Sequence, residues 1–92
     1  MRFEWNQAKN ENNIRKHGID FADVEAMFNQ PILTLPDNRE GYGEQRRVAI
    51  GRLRALICVV VYTERSGDVI RVISARKATR YEIQRYEKRI KN

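Results

Sequence analysis

Apolar positions along the chain change spacing repeatedly, and each change marks an element. Phe3 and Trp5 alternate with Arg2 and Glu4, the period of a short first strand over Arg2–Trp5. Asn6 offers an N-cap for a helix over Gln7–His17, which Gly18 stops, with Ile19 placed for the hydrophobic contact that accompanies a C-terminal glycine. Ala8 and Ile14 are the only apolar residues of that helix, so it is expected on the surface with one face turned to something else. Asp20 caps a second helix, with Asp23 imitating a capping box and Ile19 and Val24 forming a hydrophobic staple. Phe21, Val24 and Phe28 recur at helical spacing, and Pro31 ends the run.

From there the period becomes that of strands. Ile32–Leu35 is a short strand closed by Pro36, and the glycine-bearing stretch Arg39–Gly43 is a turn. Arg46–Gly51 alternates, with Val48 and Ile50 inward, and Ala55–Tyr62 is apolar throughout, as a central strand covered on both faces would be. Ser66-Gly67-Asp68 is a hairpin turn that leads into Val69–Ala75. Strict alternation there sets Arg71, Ile73 and Ala75 on one face and Ile70, Val72, Ser74 and Arg76 on the other. Thr79-Arg80-Tyr81-Glu82 reads as the capping box of a last helix, whose apolar stripe is Ile83, Tyr86 and Ile90. The expected class is α+β, a small antiparallel sheet of about four to five strands packed with two N-terminal helices and one C-terminal helix.

Composition narrows the setting. The chain has 92 residues, enough for one domain over 1–92 with one modest core. A hydrophobic fraction of 41% argues against disorder. No apolar run approaches the length of a bilayer span and no apolar leader opens the chain, so no membrane association and a cytoplasmic location are expected. The one cysteine, Cys58, excludes an internal disulfide and a cysteine-based zinc site, and its apolar neighbours mark it as a buried small hydrophobe. The net charge of +6 is unevenly placed: residues 1–70 balance, while residues 71–92 hold eight Lys/Arg against two Asp/Glu. Such asymmetry suits a polyanion or an acidic protein, the bland alternative being a solvated basic helix.

The chemistry on offer is limited. There is no phosphate-binding glycine loop, no dinucleotide fingerprint, no His pair and no clustering of carboxylates suited to a two-metal nuclease; no cofactor and no metal are expected. RNA cleavage by such a chain would use the RNA's own 2′-hydroxyl, with a base, a proton donor and cations to meet charge building on phosphate. Arg65, Arg71, Arg76, Lys77 and Arg80 lie on or beside the last hairpin and the start of the final helix, where they can converge at one sheet edge. Arg76 also sits just before a helix N-terminus, a ready anion site, whereas Arg71 is equally readable as a solvated strand residue. His17, the only histidine, is of the one side-chain type that ordinarily titrates near neutrality, and equally a cation placed to suit a helix end. Lys9 and Asn13 precede it by two turns and one turn, so the three can share a face. Glu44 and Arg46 stand on one side of their strand, as an ion pair or as a positioned acid–base pair. Trp5 is a core residue or, less simply, a stacking platform for a base.

These pieces, in order, resemble the BrnT toxins. The opening FEWNQAKNENNIRKHGIDF is similar to that family's F-E-W-D start, K-N pair and K-H-G followed by Phe. DNREGYGEQRRVAIG is similar to D-x-R-x-x-Y-G-E-x-R ending in I-G, and VVYTERSGDVIRVISARKATRYEIQRYE to V-V-x-T-E-R, I-R-x-I-S-A-R-x-A-T and R-x-Y-E. The matching positions include Trp5, Lys9, His17, Phe21, Asp37, Glu44, Arg46, Gly51, Thr63, Arg65, Arg71, Ser74, Arg76, Thr79 and Tyr86. Asn6 departs from the usual Asp but still caps, Arg47 stands where an aromatic is common, and Tyr81 where a basic residue is common.

The resemblance implies a RelE-like fold and a ribonuclease toxin that inhibits translation. It implies neutralisation by a BrnA-type antitoxin with a ribbon-helix-helix domain, and contact with operator DNA only through that antitoxin. On this footing Arg65 and Arg76 are expected to bind the scissile phosphate. His17, or Lys9 if His17 is only a cap, would move a proton, and Glu44 would orient a basic group. Arg46, Arg71, Lys77, Arg80 and Trp5 would contact RNA. The alternative is a non-catalytic nucleic-acid-binding or antitoxin-binding subunit taking part in operon repression. A plain nucleic-acid module is weakened by the lack of a helix-turn-helix or an RNA-binding aromatic sheet motif.

Overall fold

The computed structural model describes residues 1–37 and 45–91. In chain order it has strand β1 (Arg2–Glu4), helix α1 (Gln7–His17), a 3-10 turn (Phe21–Asp23), helix α2 (Val24–Phe28), strands β2 (Leu33–Asp37), β3 (Arg46–Leu53), β4 (Leu56–Arg65) and β5 (Val69–Lys77), and helix α3 (Arg80–Lys91). The five strands form one sheet in the order β1-β5-β4-β3-β2. Four of them pair antiparallel, and β1 adds to β5 in parallel. This is the expected α+β arrangement, with β1 entering on the far side of β5.

Each sheet face has its own core. One face carries Ala49, Leu53, Cys58, Val60, Tyr62, Ile70, Val72 and Ala75, which meet Ile19, Phe21, Val24 and Met27. Phe28 stands edge-on to both Phe3 and Tyr62, with ring centroids 5.3 Å and 5.2 Å away, which closes this core toward β1. Gly51 lies under α2 because a Cβ there would come within 2.7 Å of the Ile32 side chain and 3.0 Å of Met27. The opposite face carries Leu33, Ile50 and Val59, covered by Tyr86 and Ile90 of α3. Cys58 is buried, as expected, and burial pushes its thiol pKa up.

Helix α1 docks without an apolar stripe. Its buried residues are Asn10 and Asn13, while Ile14 stays exposed. Asn10 Oδ1 accepts from the Phe21 backbone N–H, and its amide donates to Asp20. Asn13 Nδ2 donates to the carbonyls of Ile19 and Ala75, and its Oδ1 accepts from the Ala75 N–H. The Asn13 amide thus pairs with β5 as a strand's peptide group would, beyond the point where β1 ends.

Element boundaries shift at most of the strand ends, by one to three residues. Pro36 lies inside β2 rather than closing it; β2 is an edge strand, where a missing N–H costs no ladder bond. β3 runs on to Leu53, and a two-residue turn at Arg54 and Ala55 joins it to β4, so Ala55 belongs to the turn. Arg54 takes a φ of 56° there, the left-handed conformation that a hairpin normally signals with Asn or Gly.

Candidate functional site

An irregularity in β5 decides which side chains meet. Tyr62 pairs with Val72 but Val61 pairs with Ser74, so Ile73 is an extra residue between them. Ala75 then falls into the same core as Ile70 and Val72. Strict alternation would have parted Arg71 from Arg76; the bulge brings Arg71, Ser74 and Arg76 to one face, opposite that core.

On this face a row of polar residues crosses the sheet. Asp37 stands opposite Arg46, Thr63 opposite Arg71, and Arg71 opposite Glu4. Arg47 is opposite Tyr62, which makes Arg46 and Thr63 the next step of the same register. The row therefore runs Asp37, Arg46, Thr63, Arg71, Glu4, over all five strands. Glu4 Oε2 accepts from Arg71 Nη1 at 2.9 Å and lies 3.6 Å from Arg65 Nε, so one carboxylate gathers two guanidinium groups. Thr63, at the centre, is 3% exposed, and its hydroxyl has no hydrogen-bond partner among the described residues. Thr63 thus sits beneath the arginine side chains of its neighbours in the row rather than on open surface.

The other end of the face is organised by a clamp. Arg76 Nη1 and Nη2 donate to Glu82 Oε1 and Oε2 at 2.8 Å and 2.9 Å, and Nη1 also donates to the Lys77 carbonyl. The same carboxylate accepts from the Thr79 N–H, while the Glu82 N–H donates to Thr79 Oγ1, completing the expected capping box. Hydrogen bonds from Arg76 chiefly, with Thr79, hold the Glu82 carboxyl pKa down at about 2 despite partial burial. Helix α3 is thereby pinned to β5 through a bidentate arginine–carboxylate pair.

The remaining expected residues are spread more widely. Lys9 and His17 are exposed on α1, and neither joins the two clusters above. Asn13 does not share their face as a free side chain, being buried against Ala75. Gly18, at φ 71°, caps the helix just beyond His17. Lys77 pairs with Cys58 and returns to the opposite face of the sheet from Arg76; Arg80 is exposed at the first turn of α3. Trp5 packs at the rim of the α1/α2-side core and donates from Nε1 to Gln7. Glu44 and the turn at Arg39–Gly43 lie outside the described residues. Glu4, Glu82 and Thr63 are not among the site residues that the sequence suggests. The capping box was the one signal that pointed to Glu82, and it gave no hint of Arg76.

The model of the family described as ribonuclease toxin BrnT of type II toxin–antitoxin systems matches residues 5–82. The chain belongs to the BrnT family. Its fold is similar to the crystal structure of the Brucella abortus ribonuclease toxin BrnT, with a TM-score of 0.65 and 29% sequence identity, covering 87% of this chain and 99% of that one. No curated protein matches the chain. The BrnT match spans both the arginine row and the Arg76–Glu82 clamp, since both fall between Trp5 and Glu82 except for Glu4. As a type II toxin, a BrnT protein acts on RNA and has an antitoxin partner. No helix among the described residues is long and apolar enough to cross a membrane.

Proposed function

We propose that this BrnT-family chain is an endoribonuclease that cuts RNA without a metal ion, by attack of the RNA 2′-hydroxyl on the adjacent phosphate. The observation that carries this is the convergence of Arg65 and Arg71 on Glu4, in one cross-strand row with Thr63 and Arg46 on a single sheet face. Arginine forks match phosphate oxygens in geometry and stay charged, so they suit the dianionic transition state. In the reaction a base takes the 2′-hydroxyl proton, the 2′-oxygen bonds to phosphorus, and the 5′-oxygen leaves with a proton from a donor. Arg65 and Arg71 hold the phosphate with the Thr63 hydroxyl, while Arg76, about 13 Å along β4 from Thr63 and paired to Glu82, orders the strand and helix beside them. Arg46 adds a cation from β3.

His17 is assigned to proton transfer, with Lys9 as the substitute. The support is chemical, since imidazole is the side chain most often used for general acid–base catalysis, and His17 is exposed on α1, outside the arginine row. Glu44 orients a basic group and Arg80 extends the contact with RNA, while Lys77 and Trp5, on the other side of the sheet, would meet only RNA that passes around the β5 edge. The partner that silences the toxin is a BrnA-type ribbon-helix-helix antitoxin, through which the pair reaches operator DNA. Action is in the cytoplasm, with no cofactor.

Expression of the chain alone should arrest growth, and the purified protein should cut RNA in EDTA. Arg71→Ala and Arg76→Ala should each relieve arrest at equal protein level. Strict dependence on added magnesium would sink the metal-free mechanism, and an equally toxic Arg76→Ala would remove Arg76 from the site.

A further inference from the structure

The sheet has a second feature that RNA cleavage does not use. β2 is its outermost strand on one side, five residues long, and no strand pairs with its outer edge among the described residues. Beside that edge runs a groove of about 880 Å³. One wall is Leu33, Thr34 and Leu35; the other is Tyr81, Gln84, Arg85, Lys88 and Arg89 of α3. Tyr81, Arg85 and Lys88 follow at helical spacing, so one stripe of α3 faces the groove along its length. Among the described residues three cations line it and no carboxylate does. Tyr81 is 67% exposed, with the Arg85 guanidinium carbon 5.9 Å from its ring centroid. An exposed aromatic under a cation, facing leucines across a gap, is surface kept for a partner.

The chemistry of the two walls selects the occupant. An open strand edge offers main-chain donors and acceptors at strand spacing, Leu33 and Leu35 offer apolar contact, and α3 offers positive charge. A nucleic-acid backbone would use the cations and leave the leucines and the strand edge unmatched. An extended polypeptide with acidic and apolar residues in alternation uses all three. From Tyr81 to Arg89 the helix rises about 12 Å, the length of about four strand residues. We propose that this groove is where the antitoxin docks, by laying an extended, acidic, alternately apolar segment along β2 as a sixth strand. The proposal rests on the toxin reading of the chain. It places inhibition on a surface separate from the row around Thr63.

The test co-expresses the chain with the antitoxin encoded by the adjacent gene and measures the affinity of the purified pair. Reversing the groove's charge in the triple variant Arg85→Glu, Lys88→Glu, Arg89→Glu should weaken binding by about 100-fold, since three favourable pairs become repulsive. RNA cleavage by the variant alone should persist and should escape the antitoxin. Binding within threefold of wild type overturns the proposal. So does a variant that loses RNA cleavage yet still holds the antitoxin, which would give the groove to RNA. A measurement on the unaltered complex guards against misfolding of the variant. Amide exchange over Leu33–Asp37 should slow by at least tenfold on binding, and unchanged exchange there overturns the added strand. Wild-type protein that binds the antitoxin but cuts no RNA would sink the catalytic reading alone.

Discussion

Glu82→Gln isolates the contribution of the Arg76 clamp to the fold. The wild-type carboxyl, held at about 2 against 4.5 for an unperturbed one, is stabilised by its ionised contacts. That gap sets a ceiling of about 3 kcal/mol. Arg76 has 42% of its side chain in water and Glu82 22%, so screening brings the expected value to about 1–2 kcal/mol. The pKa is lowered in the folded state. The contribution is therefore complete above about pH 4.5 and drains away as pH falls toward 2. Glutamine keeps an oxygen for the Thr79 N–H and the volume of the side chain, but it cannot answer both guanidinium nitrogens. Urea unfolding at pH 7 should show the variant less stable by about 1–2 kcal/mol, a fall of about 5–15 °C in Tm for a domain of this size. At pH 2.5 the difference should shrink to about a quarter, because little of the wild-type advantage survives there. A difference that stays constant from pH 7 to pH 2.5 would refute the ionic account and leave only packing. No difference at pH 7 would mean that the pair holds no stability at all.

Three further substitutions probe other parts of the argument. Thr63→Val keeps the shape and removes the unpaired hydroxyl, so stability should hold or rise by up to about 1 kcal/mol while RNA cleavage falls; unimpaired cleavage would show that the hydroxyl serves no ligand. Asn13→Ala strips three buried hydrogen bonds to the backbone of Ile19 and Ala75 and should cost about 2–4 kcal/mol in denaturant unfolding, a loss under 0.5 kcal/mol being inconsistent with Asn13 tying α1 to the sheet. Gly51→Ala forces a Cβ to within 2.7 Å of Ile32, and calorimetry should register a loss of about 1–3 kcal/mol from overpacking; a Tm equal to wild type would show that Ile32 and Met27 give way freely.

What could be read from the chain before folding was local. Asn6, Gly18, Thr79 and Glu82 announce helix ends because caps act over three or four residues. The apolar run in β4 announces a covered central strand, and Val60 and Val59 do lie in opposite cores. What escaped were consequences of distant pairing. Helix α1 looked like a surface helix in want of a partner, since asparagine is polar on any scale. Only the fold reveals that Asn13 meets a backbone 62 residues away. The bulge at Ile73 leaves no mark on composition, yet it moves Arg76 to the face of Arg71. The turn at Arg54 lacks its usual glycine or asparagine, so the sequence signals an end to β3 that comes too early. The candidate site was legible as a set of arginines near the last hairpin and illegible as a row, because rows depend on register between strands.

The asparagine that ties α1 to β5 also governs how this protein can associate. On that side the sheet presents a three-residue strand and then a helix, too short and too interrupted to template another chain. Among the described residues, the outer edge of β2 is the remaining place where a strand can add. A particle with one open valence can be closed by a single partner, but it cannot grow into a ribbon. Stoichiometry is thereby limited by the architecture of the sheet edges, and toxin in excess of its partner can join edge to edge in pairs but cannot seed a fibre.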